Sequence, residues 1–300
     1  MTIAFLSNYI GESAALSAAL LWAVSSVVYG HLGLKIPPLQ LNLYKGIIAI
    51  AFIVLTLTIQ QATLTDISWY TIGLLFLSGI VGIGLGDTAY FAALNSLGAR
   101  RTLLLETSSP PMGAFLALVF LGEQLKPISW CGILLTIIGI AWVISERNPI
   151  DKISISRQGI IWGILAAIAQ AIGSVISRYA LIQSNISPLE STLIRLVGGT
   201  TIVIVLLLIS RTRKQSPTKI KLSLHSLFII AIAAMGSTYL GIWLQQTSLK
   251  FAPTGIAQTF LATSPLFILP IVAFQGEKIT WRAILGVAIS LAGIALMFVR

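Results

Sequence analysis

The stretch LNSLGARRTLLLETSSPPMGAFLALVFLGE, residues 94–123, is written a second time as LKFAPTGIAQTFLATSPLFILPIVAFQGE, residues 249–277. Each copy opens on a leucine that ends an apolar run and then breaks, at Gly98-Ala99 in one and at Pro253-Thr254-Gly255 in the other. A second apolar run follows, carrying Ser109-Pro110-Pro111 or Ser264-Pro265, and each copy closes on Gly-Glu, at Gly122-Glu123 and Gly276-Glu277. Leu94 and Leu249, like Pro110 and Pro265, stand 155 residues apart, and Gly122 and Gly276 stand 154 apart. Two short motifs at nearly one offset, joined by runs of nearly equal length, mark an internal duplication. Working outward, Pro38-Leu39 matches Pro188-Leu189 and Lys45 matches Arg195 at 150, while Gly132 and Gly139 match Gly286 and Gly293 at 154. The chain therefore reads as two units, 1–148 and 149–300, meeting near Asn148-Pro149.

Composition says what the units are made for. Hydrophobic residues make up 56% of the chain and charged residues 9%, with a mean hydropathy of +0.95, whereas a soluble domain carries about a quarter charged residues. The chain belongs in a bilayer. Its net charge of +10 sits mostly in short segments between apolar runs, without the basic stripe and interleaved aromatics that would read as nucleic-acid binding. Cys131 is the single cysteine, so no intrachain disulfide forms.

Apolar segments near 13–30, 39–59, 69–94, 100–121, 129–146, 158–181, 188–209, 226–248, 254–274 and 281–299 are each long enough to cross a hydrocarbon core of roughly 30 Å as a helix. The expectation is an all-α membrane protein of ten transmembrane helices. No Lys or Arg precedes the first segment, which argues against a cleaved signal peptide. Five spans per unit is an odd number, so two homologous units enter the membrane in opposite orientations: two inverted five-helix repeats around a central cavity, the plan of many secondary transporters. Loops after the odd-numbered spans hold most of the Lys and Arg residues, with a dense group over 211–221. By the positive-inside rule those loops are cytoplasmic and both termini lie outside.

The charges within spans carry the candidate chemistry. Lys45 and Arg195 occupy matching positions, and a cation in the core costs on the order of 2.5–3.5 kcal/mol on insertion scales. Either they snorkel to the interface, or they face a shared cavity and bind an anionic group, Arg195 with its planar fork. Glu106 has Leu261 at its matching position and Asp87 has Ile242. Such an unduplicated acid can pair with a buried cation, serve as a proton site or merely lie near the interface. Ser109-Pro110-Pro111, Ser264-Pro265 and Pro270 remove backbone donors at depth, which kinks a helix or lines a wet cavity. Trp22, Tyr90, Gln170, Trp243 and Gln258, with Gln245 and Gln246 beside Trp243, complete the expected cavity wall; the buried amides want partners, and the tryptophans also suit packing or interface anchoring.

Gly84-Leu85-Gly86-Asp87 matches the Gly-x-Gly-Asp pattern of intramembrane aspartyl proteases, but that chemistry needs two aspartates sharing a proton. The other two, Asp66 and Asp151, fall in loops. These glycines, with Gly79 and Gly82, fit a small-residue face for close helix packing. His31 and His225 lie at span ends, far apart in sequence, so no metal site is expected, and no cofactor motif is present. A membrane-embedded enzyme would need a nucleophile with its base or a metal cluster, and neither stands in the sequence. A non-transporting scaffold remains the other alternative.

With five-plus-five spans, Ala93-Leu94 and Ser248-Leu249 before each break, Ser-Pro in spans four and nine, and Gly-Glu after each, the chain resembles the EamA-type transporters of the drug/metabolite transporter superfamily. The resemblance implies a basket of ten helices around a central cavity and export of amino acids or other small metabolites; nucleotide sugars, drugs or lipophilic cations are the alternative solutes. The chain is expected to be a multi-pass protein of the plasma or inner membrane that meets a small-molecule substrate and lipids, with no cofactor and no nucleic acid; its two fused halves suffice as a monomer and leave room for a homodimer. Pro110, Gly122, Glu123, Pro265, Gly276 and Glu277 carry the repeat motif, the Gly-Glu pairs closing a loop at the membrane surface. Two departures stand out. The segment Gln60 to Ser68 lacks basic residues, and the charge tally opposes the cytoplasmic termini the resemblance implies.

Overall fold

The computed structural model describes residues 9–33, 35–61, 67–145, 156–212, 223–267 and 280–297. Among them every regular element is helical: α1 (Ile10–Gly33), α2 (Pro38–Ile59), α3 (Trp69–Leu97), α4 (Ala99–Glu106), α5 (Ser109–Leu121), α6 (Pro127–Ser145), α7 (Arg157–Ile182), α8 (Pro188–Thr212), α9 (Leu224–Phe251), α10 (Thr254–Leu261) and α11 (Trp281–Met297). Six are long and apolar enough to span a bilayer: α1, α2, α3, α7, α8 and α9. α5, α6 and α11 are apolar but shorter.

Local chemistry sets the boundaries. Ser68, Ser156 and Ser223 each cap a helix, their hydroxyls accepting from the N–H groups of Thr71, Gly159 and Ser226. α8 opens on a reciprocal box, Ser187 N–H donating to Glu190 Oε2 at 2.9 Å and Glu190 N–H to Ser187 Oγ at 3.2 Å, which satisfies donors that the first turn leaves free. The expected continuous span 100–121 is corrected: α4 ends at Glu106, a turn covers Thr107-Ser108, and α5 restarts with prolines in its first turn, where their missing N–H costs nothing. Thr263 lies in the matching turn of the second copy, after α10. Pro270, Gly276 and Glu277 lie outside the described residues.

A feature absent from the sequence reading divides α3 and α9. Each changes to π-helical winding in its middle, over Ile80–Gly86 and Met235–Leu240, and these begin at the 155-residue offset of the repeat. The side chains of other helices take up the freed carbonyls. Asn42 Nδ2 of α2 donates to Ile83 and Gly84 oxygens at 2.9 and 3.3 Å, and Trp22 Nε1 of α1 donates to Ser237 oxygen at 2.8 Å.

The units pack crosswise, α1 against α9, α7 against α3, and α2 and α8 against each other. Glycines allow it. A Cβ on Gly79 would stand 1.9 Å from the Arg195 carbonyl oxygen, and one on Gly198 would stand 2.3 Å from that of Phe76, so α3 and α8 meet backbone to backbone. α6 and α11 are joined the same way: Gly132 abuts Gly293, Gly139 abuts Gly286, and Thr136 and Ser290 exchange hydrogen bonds of 3.4 and 3.3 Å between hydroxyl and carbonyl. As the number rises along α6 it falls along α11, so these helices run antiparallel. Thr136 and Ser290 are also matching positions of the two copies.

Gly79→Ala should fold poorly, because overpacking a backbone contact costs about 1–3 kcal/mol or more. Gly30→Ala, where a Cβ meets nothing within 4 Å, should be neutral or slightly stabilising. Thermal stability of the two purified variants in detergent checks the contrast; equal melting would contradict the packing.

Candidate functional site

The broken helices converge on a cavity of about 180 Å³. α1 contributes a polar stripe, Trp22, Ser25, Ser26 and Tyr29, at helical i, i+3, i+4, i+7 spacing. The π stretch and the following turns of α3 contribute Gly82, Gly86, Asp87, Tyr90 and Phe91, and α9 contributes Ser237, Thr238, Ile242 and Gln245. Glu106, Ser109 and Pro110 come from the α4–α5 break, and Gln258, Ser264 and Pro265 from α10 and the residues after it. Lys45, Gln170 and Arg195 complete the wall.

Seven of the eight expected residues therefore line one cavity: Lys45, Arg195, Glu106, Trp22, Tyr90, Gln170 and Gln258. Trp243 does not. It packs on Tyr239, ring centroids 6.0 Å apart, against an apolar cluster that includes Ile53 and Leu196. Gln245, two residues on and so about 200° around the helix, takes the cavity-facing place.

The four charges are arranged unequally. Lys45 Nζ lies 2.5 Å from Asp87 Oδ2 and 5.0 Å from the centroid of the Phe91 ring, so the acid that pairs with it is Asp87 and not Glu106. Arg195 is 1% exposed. Its Nη1 donates to Gln245 Oε1 at 3.4 Å, while its Nε has no hydrogen-bond partner among the described residues. Gly82 leaves room for the guanidinium, since a Cβ there would stand 3.1 Å from Nη2. Glu106 forms no ion pair among the described residues and closes α4 beside the Thr107-Ser108 turn.

Gln258 is held from the other half of the chain. Its Oε1 accepts from Ser109 Oγ at 2.9 Å, and Gly113 makes space for it, a Cβ there falling 2.4 Å from Nε2. That Nε2, like Gln245 Nε2, is buried without a partner among the described residues. With Arg195 Nε, three lining residues keep a spare N–H donor, and a buried donor left unmet costs about 1–3 kcal/mol. The wall thus offers cationic and amide donors from α8, α9 and α10 and a carboxyl group from α4 that is in no ion pair among the described residues.

The EamA-like transporter family model matches the chain twice, over residues 9–145 and 157–299. The chain belongs to the EamA-like transporter family. An uncharacterized transporter of Archaeoglobus fulgidus is 22% identical over 288 residues, 94% of this chain and 95% of that protein. A solved crystal structure superposes with a TM-score of 0.76 at 15% identity over 96% of each chain, a likeness of fold. The chain is thus a multi-pass membrane transporter. Within this EamA-like chain, Gln245 was legible as an amide at depth and Asp87 as an unduplicated acid, though not as a lining residue, and Tyr29, Ser237 and Thr238 were missed. The polar stripe on α1 was the available signal for the first of these.

Proposed function

We propose that this EamA-like protein is a secondary transporter of small zwitterionic metabolites, amino acids foremost, moving them across the cell membrane by alternating access. The observation that carries the reading is the unequal pairing of charges in the cavity. Lys45 and Asp87 neutralise each other, which leaves one guanidinium, Arg195, and one carboxyl group, Glu106, without ion-pair partners among the described residues. A solute bearing a carboxylate and an ammonium group fits that residue: its carboxylate meets the Arg195 fork with Gln245 beside it, and its ammonium meets Glu106. Trp22, Tyr90, Gln170 and Gln258 bound the remaining space. A volume of about 180 Å³ favours metabolites over drug-sized ligands, whose sites run to roughly 300–1,000 Å³.

Ten helices in two inverted halves, with a monomer sufficient, fit the same geometry. The matching helices α6 and α11 run antiparallel and meet at the matching residues Thr136 and Ser290, as a two-fold axis in the membrane plane requires. The π stretches at one offset give each half an interrupted helix beside the cavity, which is how transporter folds commonly build their sites.

The test is efflux from proteoliposomes loaded with a mixed pool of amino acids, nucleosides and sugars, read by mass spectrometry with and without a proton gradient. Selective loss of amino acids is the expected result. Selective loss of nucleosides or sugars, or none under either condition, would sink the zwitterion reading.

A further inference from the structure

One end of the molecule is fastened by a single carboxylate reaching from the first half into the second. α5 stops at Gly122, whose left-handed backbone (φ 67°) turns the chain so that Glu123 N–H donates to the Ala117 carbonyl at 3.2 Å. Glu123 Oε1 then accepts from Arg178 Nε at 2.6 Å, and Oε2 accepts from the backbone N–H of Thr254, first residue of α10, at 2.8 Å. Arg178 Nη1 in turn donates to the carbonyls of Leu249 and Lys250, in the last turn of α9, at 2.7 and 2.8 Å. Lys250 Nζ continues the network to the Ile186 carbonyl, just before α8, at 2.6 Å.

The Arg178 and Glu123 side chains are 14% and 12% exposed, so their attraction acts in a lowered dielectric, and removing one leaves the other buried and unmatched. The connection reaches the cavity. Gln258, which Ser109 of the first half holds in the wall, lies one helical turn, about 6 Å, beyond Thr254. α5 and α10 are thus tied twice, at the end of the molecule and at the cavity.

The matching positions of the first half are built differently. At the offset of 148 between the starts of the two family matches, residues 9 and 157, Arg178 corresponds to Gly30, which has no side chain to form an ion pair.

We propose that Arg178 and Glu123 form an ionic latch that shuts one mouth of the cavity and must open whenever that mouth does. The proposal rests on the alternating-access reading in giving the cavity two mouths, and its test needs no solute. In a Cys131→Ala background, a reporter cysteine is placed at Ala262, a lining residue. Its labelling by a membrane-impermeant maleimide is timed in right-side-out and inside-out membrane vesicles. Glu123→Gln should speed labelling from one face about tenfold, the shift that loss of one charge-assisted hydrogen bond gives, and slow it from the other. Arg178→Lys, which keeps the charge and loses the fork, should move both rates the same way by less. Unchanged rates, or equal acceleration from both faces, would overturn the latch while leaving the efflux result to judge transport on its own. If Glu123→Gln does not accumulate, Arg178→Lys decides by the same criterion.

Discussion

Arg195→Gln is expected to lose carboxylate transport while gaining thermal stability. The guanidinium is buried at the level of the π stretch of α3, its one hydrogen bond among the described residues a 3.4 Å contact to Gln245. In the empty carrier it is a desolvated cation without a counter-ion among the described residues, the costly arrangement. A bound carboxylate would remove that cost by accepting two parallel N–H bonds. Each charge-assisted bond is worth about 1.5–3 kcal/mol, so KM should rise roughly 10- to 100-fold or beyond, at tenfold per 1.4 kcal/mol. Arg195→Lys restores the charge without the fork and should fall between. Initial rates in proteoliposomes and melting temperatures in detergent check both halves of the statement. A glutamine variant that melts lower and transports with an unchanged KM would assign Arg195 to the scaffold instead.

What the sequence could say about this site follows from what duplication and depth can encode. Lys45, Arg195, Ser109-Pro110 and Ser264-Pro265 were legible because each stands at a repeated position within an apolar run, where a charge or a missing donor has a cost that calls for an explanation. Azimuth was not legible. Trp243 and Gln245 stand at nearly the same depth about 200° apart on α9, and only the packing of that helix decides which of them meets the cavity. The π stretches themselves depend on distant partners, Asn42 for α3 and Trp22 for α9, and no local pattern carries that information. The glycines were read correctly as a packing face, yet which helix they would meet was a tertiary question. The same holds for the acid opposite Lys45. Two unduplicated acids were visible, and only the packing of α2 on α3 selects Asp87.

That selection has the second large consequence. Asp87→Asn should destabilise the protein severely, and adding Lys45→Met should restore most of the loss. The ion pair is short, 2.5 Å, with Lys45 7% and Asp87 29% exposed at the side chain. Removing the carboxylate leaves an ammonium over the Phe91 ring without its ion-pair partner. Breaking a buried pair from one side typically costs about 3–5 kcal/mol; the lower end suits an acid that also touches the cavity. Removing both charges with side chains of similar volume is close to neutral, because the desolvation of both ions disappears together with their attraction. A double-mutant cycle on melting temperature isolates the coupling. Additive losses would mean that the two groups do not depend on each other. Strong coupling, together with retained transport in the Lys45→Met/Asp87→Asn protein, would show the pair to be a neutral strut. Strong coupling with transport lost would make Asp87 and Lys45 part of the path, since the double variant keeps the fold and removes only the charges. The cavity geometry favours the second outcome, because both side chains line the cavity that Arg195 and Glu106 share.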